Sequence, residues 1–303
     1  MNALLLKKTD PMETKTLNHP CFNCNASNNA RIHLPIAPKC NIQCNYCVRK
    51  FDCINESRPG VTSNILSPEE AVNRYLEANK VLPHLTVIGI AGPGDALANF
   101  EEVKETLSRI RNINPDITFC LSTNGLMLPF YANHLISLGV SHVTVTVNTV
   151  NPQTGAKIYK HINYLGKKYI GCEAATILLE NQLNGIRYLS EKGIVVKVNI
   201  VLLKGINDSE IKDIVQKVSE CGCKITNIMK HIPVKESAFE MLEGIGMEEQ
   251  NQIRRECESI LPQMYHCKQC RADAVGTLSL DLDITKLERN DKNEAALLTT
   301  CSI

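Results

Sequence analysis

Residues 31–47 read RIHLPIAPKCNIQCNYC, an apolar run interrupted by prolines and followed by cysteines 40, 44 and 47 in the spacing CxxxCxxC. The apolar run predicts a strand over 31–37, and the triplet falls on the loop that leaves it. Three thiolates on one tight loop can each take a corner of a cubane iron–sulfur cluster and leave the fourth iron open to a further ligand. A closed structural zinc site takes four protein ligands instead. An open iron at the end of a strand implies chemistry there.

Reading outward from this stretch, strand-like runs recur at 86–91, 117–122, 142–148, 194–202 and 225–231. Helical patterns fall between them. Ser67-Pro-Glu-Glu70 supplies an N-cap, an N1 proline and first-turn acids for a helix to about Lys80, and Asn207-Asp-Ser-Glu210 opens another that ends near Cys221-Gly222. Further helices are expected near 99–112, 130–138, 176–192 and 247–259. Six alternations of strand and helix predict an α/β fold, a partial (β/α)6 TIM-like barrel whose site lies at the strand C-terminal ends. Ala91-Gly-Pro-Gly-Asp95, Ser122-Thr-Asn-Gly125, Asn148 and Lys204-Gly-Ile-Asn-Asp208 follow successive strands there as polar, mostly glycine-bearing loops.

Composition limits the function classes. Lys plus Arg number 33 against 32 Asp plus Glu in 303 residues, so no global field favours nucleic acid or a membrane surface. No window approaches the 18 apolar residues of a membrane span, and the opening MNALLLKKTD is too short in apolar residues for a secretory signal, which predicts a cytoplasmic protein. Fourteen cysteines without an export signal argue for metal or redox chemistry over disulfides. Ten of them cluster, at 21/24, 40/44/47/53, 221/223 and 267/270. The segments 1–29 and 236–303 are less regular and each carries a CxxC pair, so the expected organisation is a barrel over 30–235 closed by Cys-bearing N- and C-terminal segments.

With an aromatic, Tyr46, just before its last cysteine, the triplet resembles that of the radical SAM enzymes. The resemblance implies a [4Fe-4S] cluster on Cys40, Cys44 and Cys47 whose open iron binds S-adenosylmethionine, one-electron cleavage to a 5'-deoxyadenosyl radical, and Tyr46 near the adenine. Gly92 and Gly94 let backbone groups approach a ligand closely, and with Asp95, Ser122, Asn124 and Asn148 they become candidate cofactor contacts.

Within that superfamily the chain resembles the NifB family of nitrogenase iron–molybdenum cofactor biosynthesis. The residues that carry this are His19-Pro-Cys-Phe22, Ala37 through Cys47, Cys53-Ile-Asn-Glu-Ser-Arg-Pro-Gly-Val61, Ala91-Gly-Pro-Gly-Asp95, Cys120-Leu-Ser-Thr-Asn-Gly125, Val143-Thr-Val-Thr-Val-Asn148, Gly205-Ile-Asn-Asp208 and Cys267-Lys-Gln-Cys-Arg-Ala-Asp-Ala-Val-Gly276. The resemblance implies fusion of two further [4Fe-4S] substrate clusters around a carbide from S-adenosylmethionine, with an added sulfur, to give an eight-iron precursor. An electron donor and a cluster carrier or scaffold protein are implied as partners, and nucleic acid and membrane are not. Cys21, Cys53, Cys120, Cys267 and Cys270 would hold the substrate clusters, soft thiolates suiting iron–sulfide. His19 would add a nitrogen ligand, while Glu56 and Arg58 are candidates for proton handling and carboxylate pairing. After His-Pro-Cys-Phe the chain has Asn23-Cys24-Asn25 where the family's pattern is rich in histidine, so Cys24 is a candidate replacement ligand. The chain runs about 30 residues past Cys270, and the resemblance is to the short, stand-alone form.

Two other readings fit the same residues. One is a different radical SAM enzyme with auxiliary clusters that modifies a peptide or small molecule. The other pairs Cys21-x-x-Cys24 with Cys267-x-x-Cys270 in a four-thiolate zinc knot. The thiols at 172, 221, 223, 257 and 301 are expected to serve packing or the surface.

Overall fold

The computed structural model describes residues 10–282 apart from 56 and 63. In chain order the elements are α1 (Pro11–Leu17), β1 (Ala30–His33), β2 (Ile42–Cys44), α2 (Pro68–Val81), β3 (Leu85–Ile90), α3 (Phe100–Ile113) and β4 (Thr118–Thr123). Next come α4 (Leu128–Ser137), β5 (Val140–Thr146), α5 (Pro152–Ile158), β6 (Tyr159–Tyr164), β7 (Lys167–Tyr169) and α6 (Gly171–Glu191). The chain continues through β8 (Val195–Leu202), α7 (Ile211–Glu220), β9 (Ile225–Lys230), α8 (Met247–Cys257), β10 (Val275–Thr277) and β11 (Leu280–Asp281).

Strands β1, β3, β4, β5, β8 and β9 lie side by side and parallel, each joined to the next through helix, which is the expected partial barrel. Their starts match the sequence pattern to within two residues except at the first strand's far end. β1 stops at His33, not residue 37, because Pro35 has no amide to continue the ladder. Helix α2 begins with the expected capping box, Ser67 accepting from the Glu70 amide and Glu70 accepting from the Ser67 amide.

Two features lie outside the alternation read from sequence. A hairpin, β6–β7, precedes α6, which therefore starts at Gly171 and not near 176, and β2 of the cysteine loop pairs with β6 through Ile42–Ile162, Gln43–His161 and Cys44–Tyr159. The second is a strap. Thr226 at the start of β9 donates to Pro262 and accepts from Met264, and β10 pairs antiparallel with β1 through Arg31–Gly276 and Ile32–Val275. Residues 262–277 thus run from one edge of the open sheet to the other, closing the gap that six strands leave.

The strand faces divide by chemistry. Phe119, Leu121, Val143, Val145, Val196, Val198, Ile200 and Ile228 are buried in the outer core together with Val103, Leu107, Leu135 and Ile214 from the helices. Each such side chain contributes about 1.5–3 kcal/mol by leaving water. The alternate positions point into the barrel and are polar or small: Cys120, Ser122, Thr144, Lys197, Asn199 and Asn227. A barrel of this type normally fills its lumen with branched apolar side chains. Here the lumen stays open, lined by hydrogen-bonding groups and thiols.

Candidate active site

The triplet is held by its neighbours on three sides. The Ala37–Lys39 approach is clamped from the loop after β3: Gly94 donates its amide to Ala37 O, Asp95 donates to Lys39 O, and the Asn99 side chain both accepts from the Lys39 amide and donates to its carbonyl. A Cβ on Gly94 would sit 2.2 Å from Lys39 O, so only glycine permits this approach. Below, Asn45 donates to Ile158 O and Asn163 to Asn41 O, so the hairpin missed by sequence reading is the platform of the loop. The Gln43 amide spans the loop itself, donating to Cys44 O at 3.0 Å and Cys47 O at 2.7 Å.

Cys40, Cys44 and Cys47 border one small pocket with Arg49, Cys53, Asn55, Gly94, Asp95 and Asn124. Burial pushes the Cys40 thiol up to about 12 and Cys44 well above the ordinary thiol range, so these thiols lose their protons only when a metal displaces them. Arg49 places Nη1 3.8 Å from Cys47 Sγ and donates from Nη2 to Pro38 O, bringing positive charge to the sulfurs. Among the described residues no three His, Cys, Asp or Glu converge on one ion. A cubane asks for no such convergence, since each thiolate takes a different iron, so the donor set fits a [4Fe-4S] cluster on three cysteines. The zinc knot does need convergence, and its four thiols are not drawn together: Cys24 is exposed and borders an outer cleft, whereas Cys21 and Cys267 border the lumen.

The lumen is the second part of the site. It encloses roughly 730 Å³ free of atoms, counting its open mouth, and is bordered by His19, Cys21, Cys120, Cys267 and Cys270. Four of these reach it from outside the parallel strands: His19 and Cys21 from the N-terminal segment, where α1 anchors through Thr16 Oγ1 at 3.0 Å from His142 Nε2, and Cys267 and Cys270 from the strap. Cys270, also on the strap, lies 3.2 Å from Arg31 Nη2, which belongs to β1. His19 is 1% exposed. Its Nδ1 accepts from the Cys21 amide at 3.1 Å, and its Nε2 is buried with no partner in the protein. In the neutral ring Nε2 then carries the proton, a donor suited to sulfide, and ligation of iron through that atom requires the proton to leave or the Cys21 bond to break.

Asn55 borders both spaces and links them. Tyr46, fully buried, donates its hydroxyl to Asn55 Oδ1 at 2.8 Å and accepts from Asn148 Nδ2 at 2.7 Å, while Asn55 O accepts from Asn199 Nδ2 in the lumen wall. Asn148 thus serves Tyr46: its Oδ1 accepts from the Val201 amide and its carbonyl from Asn207. Asp95 is also committed, accepting from Leu97, Ala98, Thr123 and Asn124, and burial raises its carboxyl above the usual range. Asn124 donates to Asn41 beside Cys40, Ser122 faces the lumen, and Gly92 stands at φ +114° before Pro93. Arg58 is exposed and donates from its backbone to Cys270 O and from Nη2 to Lys268 O, binding the strap and no carboxylate among the described residues. Glu56 and Cys301 lie outside the described residues. Cys221, Cys223 and Cys257 are buried in the outer core and Cys172 is exposed.

Sequence reading missed the lumen wall: Arg31, His33, Thr144, Lys197, Asn199 and Asn227. The signal was present as alternation. Parallel strands covered on both faces read as continuous apolar runs, so a strict alternation such as Val143-Thr-Val-Thr-Val147 marks a second face that is not packed with hydrocarbon.

The model of the Radical SAM superfamily matches residues 34–218, which contain the triplet, the Gly94 loop and four of the six parallel strands, β3, β4, β5 and β8. FeMo cofactor biosynthesis protein NifB of Chlorobaculum tepidum is 46% identical over 263 residues, 86% of this chain and 62% of that protein. The NifB proteins of Bradyrhizobium diazoefficiens and Klebsiella pneumoniae are 47% and 46% identical over 87% and 88% of this chain, and 54% and 58% of their own lengths. The chain therefore spans somewhat over half the length of these curated relatives. Among solved structures, Streptococcus suis SuiB bound to S-adenosylmethionine aligns at a TM-score of 0.54 with 12% identity over 77% of this chain and 50% of that one. Methylornithine synthase PylB aligns at 0.53 with 14% identity over 84% and 68%, and both likenesses concern the fold. A partial barrel, a clamped CxxxCxxC loop and the match over 34–218 agree: the chain belongs to the radical SAM superfamily, which works with a [4Fe-4S] cluster and S-adenosylmethionine.

Proposed function

We propose that this chain is an enzyme of nitrogenase cofactor assembly. It fuses two [4Fe-4S] substrate clusters around a carbide drawn from S-adenosylmethionine, with an added sulfur, into an eight-iron precursor. The observation that carries this reading is the lumen beside the triplet pocket, lined by Cys21, Cys120, Cys267 and Cys270, thiols that suit iron–sulfide clusters. The identity to NifB proteins over nearly nine tenths of the chain supports it.

In this reading Cys40, Cys44 and Cys47 hold the radical cluster, which supplies the electron that cleaves S-adenosylmethionine. Gly94 and Asn99 fix the loop, and Asn124 and Arg49 border the face where the cofactor's charged end would lie. Cys53, on the triplet side, and Cys120, on the lumen side, flank Asn55, so a substrate cluster on these two would stand between the radical source and the second cluster on Cys21, Cys267 and Cys270. Few thiolates for each substrate cluster suit a product that must leave. The strap carries Cys267 and Cys270 and forms one wall of the lumen. An electron donor and a carrier protein complete the scheme, and a cytoplasmic setting follows from its oxygen-labile, thiolate-bound intermediates; among the described residues no helix is long and apolar enough to cross a membrane.

The test is anaerobic reconstitution followed by S-adenosylmethionine labelled at the methyl carbon, with reductant. About twelve irons per chain and label in an extractable cluster are expected, at about four irons per cubane. About four irons, with 5'-deoxyadenosine formed and no label in any cluster, sinks the reading in favour of a radical SAM enzyme acting on another substrate.

A further inference from the structure

Lys197 is a buried cation for which the described residues provide no anion. It stands on the inner face of β8 at 6% exposure and borders the lumen. Its Nζ lies 4.8 Å from the centre of the Phe22 ring and 3.9 Å from Met264 Sδ. None of the ion pairs among the described residues includes it, and no described Asp or Glu borders the lumen. An ammonium has three N–H donors, and a thioether and a ring face are weak partners for them. The other lysine and arginine at the lumen are different: Lys268 is exposed, and Arg31 meets Asp281 at 2.6 Å and Cys270 at 3.2 Å. Leaving a charge buried and unpaired is strongly unfavourable, so the fold keeps Lys197 for something that arrives later and is negative.

The surroundings define that anion. Cys21, Cys120, Cys267, Cys270 and His19 border the same lumen, and thiols with an imidazole are a donor set for iron. A cubane on thiolates is a net anion that presents bridging sulfides as acceptors. We propose that Lys197 is the anchor of the substrate cluster in the lumen, its ammonium donating to the sulfide face while the cysteines take the irons. This rests on the lumen holding a cluster, as argued above. It also gives the cluster one attachment that is not a metal–thiolate bond, so it can be held firmly and still be released by exchange of a few thiolates.

The experiment compares wild type, K197M and K197R, full chains reconstituted anaerobically. The readouts are iron and sulfide per chain, electron paramagnetic resonance, the rate of iron loss to a chelator, and the melting temperature without iron. Methionine keeps the length of lysine and removes the charge. K197M is expected to melt at or above wild type without iron and to lose its lumen iron roughly ten- to a hundredfold faster, the worth of one hydrogen bond to a charged group, with the triplet cluster signal unchanged. K197R should recover most of the retention. If wild type holds about twelve irons and K197M matches it in content, chelator rate and spectrum, the anchor is wrong and the lumen reading stands. If K197M melts lower or does not fold without iron, Lys197 serves the fold and the anchor is again overturned. If wild type holds only about four irons, there is no lumen cluster and both readings fall.

Discussion

Arg31 Nη2 lies 3.2 Å from Cys270 Sγ and 2.6 Å from Asp281 Oδ1, while Nη1 donates to Gly276 O and Thr277 O. One guanidinium on the first barrel strand thus ties down the strap and places a positive charge against a lumen thiol. Burial pushes the Cys270 thiol up to about 11 even though Arg31 opposes the rise. Replacement by methionine, R31M, removes both services. Stability without iron should fall by about 3 kcal/mol, less than for a wholly buried pair lost because Asp281 is 24% exposed and can rehydrate. Urea unfolding measures it. Iron content should also fall by the lumen share alone, and R31M with wild-type stability would show that the strap is held by other means.

At Gly94 an added methyl has no room. G94A must push away Lys39 O, 2.2 Å from the new Cβ, and with it the chain that delivers Cys40. The overpacking should cost about 1–3 kcal/mol. Triplet cluster assembly should drop by about four irons per chain with loss of 5'-deoxyadenosine formation. Iron assay and product chromatography on one sample decide it.

The Tyr46 hydroxyl is buried between Asn55 and Asn148. In Y46F the Asn148 amide and the Asn55 carbonyl oxygen lose a partner where water cannot replace it, so unfolding free energy should fall by about 1–3 kcal/mol. The aromatic face remains. S-adenosylmethionine cleavage should therefore persist more strongly than in G94A, and equal loss in both would assign the hydroxyl a direct part.

The thiols should separate by variant. C24S, at an exposed position off the lumen, is expected to keep wild-type iron content and carbon transfer, whereas C21S and C267S keep 5'-deoxyadenosine formation and lose label from the extracted cluster. Loss of iron in C24S would make this added cysteine a ligand after all.

Acid should destabilise the chain before iron is added. Burial lowers His33 to about 4 and His142 to about 3 from an ordinary 6.5, so the folded state keeps both rings neutral while the unfolded chain takes up protons below pH 6.5. Stability from these groups is complete above pH 6.5 and falls with pH down to about 3, by about 1.4 kcal/mol per histidine at the first unit below 6.5. Melting temperatures at pH 7.5, 6.5 and 5.5 test this, and H142N should flatten the slope by its share.

The order of elements and the chemistry of the triplet were legible in the sequence because both are local. Alternating strand and helix patterns, a proline at a helix start and three cysteines within eight residues are read without knowing what lies across the molecule. The strand starts, and the loops after the strands, followed from the same periodicity, whereas the first strand's end was set by Pro35. The tertiary structure decided what long-range pairing decides: that residues 159–169 form the platform of the cysteine loop, that 262–277 close the barrel, and that Asp95 and Asn148 are held by other protein groups. It also decided which thiols share a space. Cys21, Cys120, Cys267 and Cys270 are up to 249 residues apart in sequence, and only the closure of the sheet by the strap brings them around one lumen beside Lys197.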